Sequence, residues 1–221
     1  SSDVCSSDLK IKALHDTDPL TVKVDLTKKS SIVQMVSKIV TKYKKIDVLI
    51  NNAAYQGNDK IRTTPFENLE LRYWKRAIDV NLTATFLCCQ VVGKIMLKQQ
   101  YGNIINIGSI YGMVAPDQRL YGKSKQNSAA FYASTKGAVI NFTKYLASYW
   151  GRNGIRVNCI SPGGVMHMQD KAFQKRYSEK TMLGRMAKKD ELLGAIVFLC
   201  SDASSYMTGS NLVVDGGLTA W

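Results

Sequence analysis

A doubly wound α/β fold on a parallel sheet is what this chain predicts, and three observations carry the prediction. Short apolar runs without polar alternation, at 48–50 and 104–107, read as strands buried on both faces. Longer stretches between them hold apolar residues at helical spacing. The two kinds of segment alternate along the chain, as a parallel sheet covered by helices requires.

The elements follow in order. Leu20 to Val24 is the first plausible strand, and Ser30 or Ser31 stands where it would cap a helix reaching about Lys44. Val48-Leu49-Ile50 is a buried strand running into Asn51-Asn52-Ala53-Ala54, a turn of polar and small residues. After Pro65, the run from Glu67 to Gln99 places Trp74, Ile78, Leu82, Phe86, Cys89, Val92 and Met96 on one broad stripe, which reads as core, with Asn81 interrupting the pattern. Ile104-Ile105-Asn106-Ile107 is a strand that ends at Gly108-Ser109, and a serine just past a strand's C-terminal end sits where open α/β sheets bind ligands. Ile155 to Ser161 is a strand closed by Pro162-Gly163-Gly164, a turn where backbone can approach a flat ring. Between Gly164 and Lys189 the pattern is irregular, with Met166, Met168, Phe173, Met182 and Met186 among charges. Asp190 begins a helix through Cys200, whose Leu192, Leu193, Ile196, Val197 and Leu199 read as core.

The segment with the clearest chemistry is Tyr132-Ala133-Ser134-Thr135-Lys136, since four-residue spacing on a helix brings a phenol and an ammonium to one face. A tyrosine of pKa about 10 needs a shift of roughly 3 units, or about 4 kcal/mol, to titrate near neutrality. A neighbouring cation supplies much of that. A rival, Tyr121-Gly122-Lys123-Ser124-Lys125, lies closer to Ser109, but the residues after Tyr121 are poor in helix interiors and form no apolar face. Ala138, Val139, Ile140, Phe142, Tyr145 and Leu146 after Tyr132 make a broad helical stripe, which favours Tyr132.

From about Leu20 to Trp221 the order of these fragments resembles the short-chain dehydrogenase/reductase family: an NNAG-type strand end, a helix asparagine, a strand-end serine, a YxxxK helix, a PG turn and a final strand like Asn211 to Gly217. The resemblance implies a Rossmann-type fold and hydride transfer between NAD or NADP and an alcohol or carbonyl substrate. It implies Tyr132 as general acid/base, and Lys136 as the residue that lowers its pKa and holds the nicotinamide ribose. Ser109 would hydrogen-bond the substrate oxygen, and Asn81 would anchor a water that leads protons out through the lysine. Asp25 and Leu26 would bracket the adenine; Asn52, Ala53 and Ala54 would pass the cofactor ribose; Pro162, Gly163 and Val165 would face the nicotinamide. The family also implies a mobile substrate lid after Gly164, and a homodimer or homotetramer packed through the helices of the Glu67–Gln99 run and of the YxxxK motif. His167 stands where many members carry a threonine near the nicotinamide amide.

Two features depart from that pattern. A dinucleotide fold opens with a strand, a glycine-rich turn and an acidic or basic residue that chooses between cofactors, whereas no glycine here precedes Gly57. The first βαβα portion is therefore expected to be missing, which would leave the truncated domain, residues 10–221, of uncertain activity and Leu20 to Val24 without an inner neighbour. Ser1 to Leu9 repeats SSD and is expected to be an adapter-like, non-native segment. The second departure is spacing: 22 residues separate Ser109 from Tyr132, and the excess, roughly Met113 to Ala130, reads as an insertion beside the site. Arg119, Lys123 and Lys125 make it basic, which suits an anionic or sugar-derived substrate, and it also resembles reductases associated with bacterial surface-glycan synthesis.

Composition bounds the alternatives. The chain has 221 residues, 45% of them hydrophobic, enough for one domain with a large core. Nothing approaches a continuous apolar run of membrane-spanning length, so no membrane association is expected. Five cysteines without CxxC and two histidines without zinc spacing indicate no metal site and a reduced, cytoplasmic setting. A net charge of +13 raises nucleic-acid binding as a rival, but the basic residues are scattered and no recognised nucleic-acid motif occurs. A non-catalytic Rossmann-like scaffold or binding protein is the remaining alternative.

Overall fold

The computed structural model describes residues 19–221. The segment Ser1 to Leu9 lies outside the described residues. Four strands form one sheet in the order β1 (Val48–Asn51), β2 (Gly102–Ile107), β3 (Ile155–Pro162), β4 (Asn211–Val214). Every pair is parallel, in a register that sets Val48 opposite Asn103, Gly102 opposite Ile155 and Cys159 opposite Asn211. The sheet is thus doubly wound and Rossmann-type, as the apolar runs predict.

Both faces of the central strands are covered, which is why those runs show no alternation. Ile104, Ile155 and Val157 pack on one side against α1 (Lys29–Tyr43), α4 (Ala84–Gln99) and α5 (Ala130–Trp150). Ile105 and Ile160 point to the other side, against Leu199 of α7 (Leu193–Cys200). Two asparagines inside the strands are paired: Asn51 Nδ2 donates to Asn106 Oδ1 at 2.9 Å, and Asn106 Nδ2 to Thr143 Oγ1 at 2.9 Å.

Leu20 to Val24 is not a strand; it runs as irregular chain while Val24 and Leu26 pack on the α1 side of the core. Among the described residues no strand flanks the outer edge of β1, so the segment lacks a ladder in which to satisfy its backbone. Nor does Ser30 or Ser31 cap α1. The N-cap is Lys28 without a side-chain bond, and Ser31 Oγ instead accepts from the Asp25 backbone N–H at 3.0 Å.

The Glu67–Gln99 run becomes a short 3₁₀ turn at Phe66–Asn68 followed by α3 (Leu71–Ala77), a π-helical turn (Ile78–Thr83) and α4, continuous from Leu71 to Gln99. By length and composition this stretch could cross a bilayer, but its buried side, with Ala77, Ala84, Cys89, Val92 and Met96, belongs to the core. The interruption that Asn81 makes in the sequence pattern is the π turn itself. On α7 the expected core is only partly formed: Leu199 is buried, yet Leu193 and Val197 are exposed because the sheet covers one side of that helix alone.

Candidate active site

The C-terminal ends of the strands place the candidate residues along one edge of the sheet. After β2 the chain turns at Ser109, which is buried and accepts from the Tyr111 backbone N–H at 3.2 Å. The turn that follows, Ile110–Gly112, lies on α5, and a β-carbon at Gly112 would meet the Lys136 backbone at 2.7 Å. Glycine at this position is what lets the serine approach the helix.

Tyr132 and Lys136 both lie on α5, as the spacing requires. Ser109 and Tyr132 line one cleft, where the Ser109 hydroxyl favours the phenolate form of Tyr132. The Lys136 ammonium donates to the Ile107 carbonyl at 2.5 Å and sits 5.8 Å from the centre of the Tyr132 ring. Burial sets the proton affinities. It pushes the Tyr132 phenol above its ordinary value, against smaller opposing pulls from the Ser109 hydroxyl and the Arg62 guanidinium. It draws Lys136 down to about 8. The depressed tyrosine pKa expected from Lys136 is therefore not what the free chain has. At 5.8 Å, with its proton directed to the Ile107 carbonyl, the ammonium does not offset the cost of burying a phenolate.

Asn81, at the π turn, is fully enclosed. Its Nδ2 donates to the Tyr55 carbonyl at 3.0 Å and to Thr135 Oγ1 at 3.1 Å, while Oδ1 accepts from the Tyr55 N–H at 2.6 Å. The side chain thus joins the segment after β1 to α5 one turn from Tyr132. Its own carbonyl accepts from Thr85 Oγ1 at 3.0 Å.

Tyr121 and Lys125 do not share a helix. They belong to a 3₁₀ stretch at Gln118–Ser124, broken at Gly122 (φ 53°, ψ −127°) and ended by Lys125 in the left-handed region. The Tyr121 ring packs on Phe173 with 5.3 Å between ring centres. It nonetheless borders the same cleft as Ser109 and Tyr132, together with Tyr111 and Tyr177.

The insertion's cations do not reach this cleft. Arg119 forks onto Asp117 at 2.9 Å and points to solvent, and Lys123 and Lys125 are exposed. Asp117 also binds Lys180 at 2.5 Å, so the pair ties the insertion to the chain after α6 (Lys171–Ser178). The charged residue that does line the cleft is Arg62, on the short helix α2 (Asp59–Arg62), which sequence reasoning missed. Nothing in the local pattern singles it out, because its position depends on Asn127, whose N–H donates to the Arg62 carbonyl at 2.7 Å.

The segment after β3 closes the far wall. Gly163 lies where a β-carbon would stand 2.7 Å from Asp215 Cα, and the Gly164 N–H donates to the Tyr177 hydroxyl. Burial raises the Tyr177 phenol to about 12, so it remains a neutral hydrogen-bonding group. Val165 bridges Ala187, and α6 packs Tyr177 with Leu120 and Met186. His167 is exposed; its N–H donates to Gln169 Oε1 at 2.7 Å.

For a nicotinamide cofactor, the residues at this edge fit one half of the molecule. Asn52, Ala53 and Ala54 are exposed at the end of β1, and the buried Lys136 ammonium has the Ile107 carbonyl as its one hydrogen-bond partner among the described residues, leaving two protons for hydroxyl groups such as a ribose diol. Asp25, by contrast, binds Thr27 at 2.6 Å through Oδ1 in an exposed turn.

Comparison with known proteins agrees with the geometry. The sequence model described as enoyl-(acyl carrier protein) reductase matches residues 6–219. An NAD-dependent glycerol dehydrogenase of Listeria innocua is 33% identical over 93% of this chain and 77% of its own length. A short chain dehydrogenase from Leptospira borgpetersenii, solved with bound NAD+, is 40% identical with a TM-score of 0.82, over 90% of this chain and 74% of that one. A gluconate 5-dehydrogenase from Burkholderia cenocepacia, in complex with NADP and tartrate, is 32% identical with a TM-score of 0.79, over 89% of this chain and 74% of that one. The chain belongs to the short-chain dehydrogenase/reductase family and is an NAD(P)-dependent oxidoreductase.

Proposed function

We propose that the chain interconverts an alcohol and a carbonyl on a small, sugar-like substrate, with Tyr132 exchanging the proton and Ser109 holding the reacting oxygen. The observation that carries this reading is that Ser109 and Tyr132 line one cleft, with the Lys136 ammonium 5.8 Å from the centre of the Tyr132 ring. A substrate oxygen that enters between the two hydroxyls meets one donor from each. The bound nicotinamide supplies or accepts the hydride.

The raised phenol pKa keeps Tyr132 protonated in the resting chain, which suits donation to a carbonyl oxygen in reduction. Oxidation requires the reverse transfer. The buried Lys136 then stabilises the phenolate as the Tyr132 proton leaves, and its own depressed proton affinity makes it a relay for that proton. Asn81 holds the Tyr55 segment and α5 together, and so fixes the distance between the β1 end and Tyr132. Asn52, Ala53, Ala54, Pro162, Gly163 and Val165 would contact the cofactor, with Asp25 and Leu26 nearer its adenine end.

The assembly follows from exposed apolar side chains. Phe86 on α4 and Tyr145 and Tyr149 on α5 are exposed, and the ring pair Phe86–Phe142 spans the two helices at 6.1 Å. Burying this surface against a second copy supports a homodimer or homotetramer. A cytoplasmic setting accords with the unpaired cysteines Cys88, Cys89, Cys159 and Cys200.

The deciding experiment compares turnover of Tyr132→Phe and Tyr121→Phe with NAD+ and NADP+ on glycerol, threitol and gluconate. The expected result is a loss of at least roughly 100-fold in kcat for the first and a change confined to KM for the second. Activity that survives Tyr132→Phe and disappears with Tyr121→Phe would transfer the proton-exchange role to Tyr121. Absence of turnover in the wild-type chain, with cofactor binding retained, would favour the scaffold reading.

A further inference from the structure

Among the described residues, Arg62 is the only charged one lining the cleft, and it has no carboxylate partner among them. Its guanidinium makes one long hydrogen bond, Nη2 to Gln56 Oε1 at 3.3 Å. An arginine lining a cleft with most of its donors unused is a fork waiting for an acceptor.

Its position is built rather than accidental. The preceding residue, Ile61, is buried in a cluster with Ala129 and Phe131, against which Tyr132 also packs. The backbone on either side is held by the insertion: the Asn127 N–H donates to the Arg62 carbonyl at 2.7 Å, and Asn127 Nδ2 donates to the Thr64 carbonyl at 2.9 Å. Asn127 is in turn followed by Ser128, whose N–H donates to Gln118 Oε1 at 3.1 Å and which lines the same cleft as Tyr121. The insertion therefore fixes Arg62 beside the two phenols, and its guanidinium lowers the proton affinity of both Tyr121 and Tyr132.

We infer that Arg62 is a specificity-determining residue that receives the carboxylate of a hydroxylated monocarboxylate substrate, and that Asn127 is the residue that positions it. This inference rests on the alcohol–carbonyl reading of the same cleft. One guanidinium balances one negative charge, and its planar fork matches the two oxygens of a carboxylate. The neutral polar groups that line the cleft with it, Gln56, Asn127, Ser128 and Gln169, suit hydroxyls rather than further charge. The anion site expected from Arg119, Lys123 and Lys125 is thus moved to α2, with the insertion acting as its scaffold.

The test pairs acids with neutral counterparts of the same skeleton: gluconate with glucitol, and glycerate with glycerol, with glycerol 3-phosphate as the phosphate arm. Steady-state kinetics with NAD+ and NADP+ and direct calorimetric binding without cofactor are measured for wild type, Arg62→Gln, Arg62→Lys and Asn127→Ala. In Arg62→Gln the KM and Kd for an acid should rise at least about tenfold, while those for its neutral partner stay within about twofold. Arg62→Lys should recover part of the loss. Asn127→Ala should raise KM for the acids more than for the neutral partners, with kcat little changed, a split that general loosening of the fold would not produce.

Equal losses for acid and neutral partner, or a wild-type chain that binds none of the acids, overturn the inference. Preference for glycerol 3-phosphate over glycerate, lost in Arg62→Gln, overturns the carboxylate assignment. Failure of the underlying reading is distinguishable: the acids would then still bind in an Arg62-dependent way, but no substrate would be turned over.

Discussion

A β-carbon on Gly112 would stand 2.7 Å from the Lys136 carbonyl carbon, so the turn that carries Ser109 rests directly on the backbone of the helix that carries Tyr132. Gly137 completes the contact, since its own added β-carbon would lie 3.3 Å from the Gly112 oxygen. Gly112→Ala is expected to lift the turn, cost about 1–3 kcal/mol by overpacking, and lower kcat by separating Ser109 from Tyr132. Gly151→Ala, where an added β-carbon meets nothing within 4 Å, serves as the control in the same denaturant melts and rate assays. Equal behaviour of the two variants would refute this account.

Asn81→Ala removes three hydrogen bonds, one buried and two partly buried, and leaves the Tyr55 N–H and carbonyl without their partner. A loss of about 2–4 kcal/mol is expected from those orphaned groups, read from urea midpoints. Because Asn81 joins the segment after β1 to α5, the variant should also raise KM for the cofactor. A variant as stable as wild type would show that water replaces the amide without cost.

Lys136 gives stability a pH dependence of definite sign. Its folded pKa of about 8 lies below the ordinary lysine value of 10.5, so between those values the unfolded chain holds the extra proton and stability rises with pH. Below the window the lysine is protonated in both states and the desolvation cost, on the order of 3 kcal/mol at most, is fully present. The buried thiols slope the other way above their ordinary pKa, since burial raises Cys88 and Cys159 to about 11 and Cys89 to about 12. The difference between wild type and Lys136→Met isolates the lysine, and midpoints at about pH 7.5 and 9.5 should draw together by a positive increment in wild type. A flat difference would mean that the ammonium is solvated.

The same burial predicts an order of thiol reactivity. Among the described cysteines, Cys200 is the least buried and should be alkylated first by iodoacetamide at neutral pH. Cys88, Cys89 and Cys159 should be labelled only on unfolding, as peptide mapping by mass spectrometry would reveal. Rapid native labelling of Cys89 would show that the contact between α4 and β1 opens readily.

Much of this chain was legible because buried strands and core helices leave periodic marks. The runs at 48–50, 104–107 and 155–161 form paired parallel strands, and the stripe after Tyr132 forms α5, since burial on both faces or on one stripe constrains residue type position by position. Even the break at Asn81 corresponds to a physical feature, the π turn. Leu20 to Val24 misled because β-propensity is realised only against a neighbouring ladder, which the described residues do not provide. Leu193 and Val197 misled because an apolar helix does not say which of its sides the sheet will cover.

Charge placement was not legible at all. The insertion's basic character suggested Arg119 and Lys123 as the groups facing an anion, yet Arg119 is paired with Asp117 and neither residue lines the cleft. Arg62 faces it, for reasons spread over Ile61, Asn127, Ser128 and Gln118, which the chain brings together only on folding. Residue types and spacings carry the family, the strands and the Tyr132–Lys136 pair, because each is local or periodic. Which cation enters the cleft, and whether burial raises or lowers the tyrosine's proton affinity, depends on distances across the fold, and those distances exist only once β1, the insertion and α5 are packed against one another.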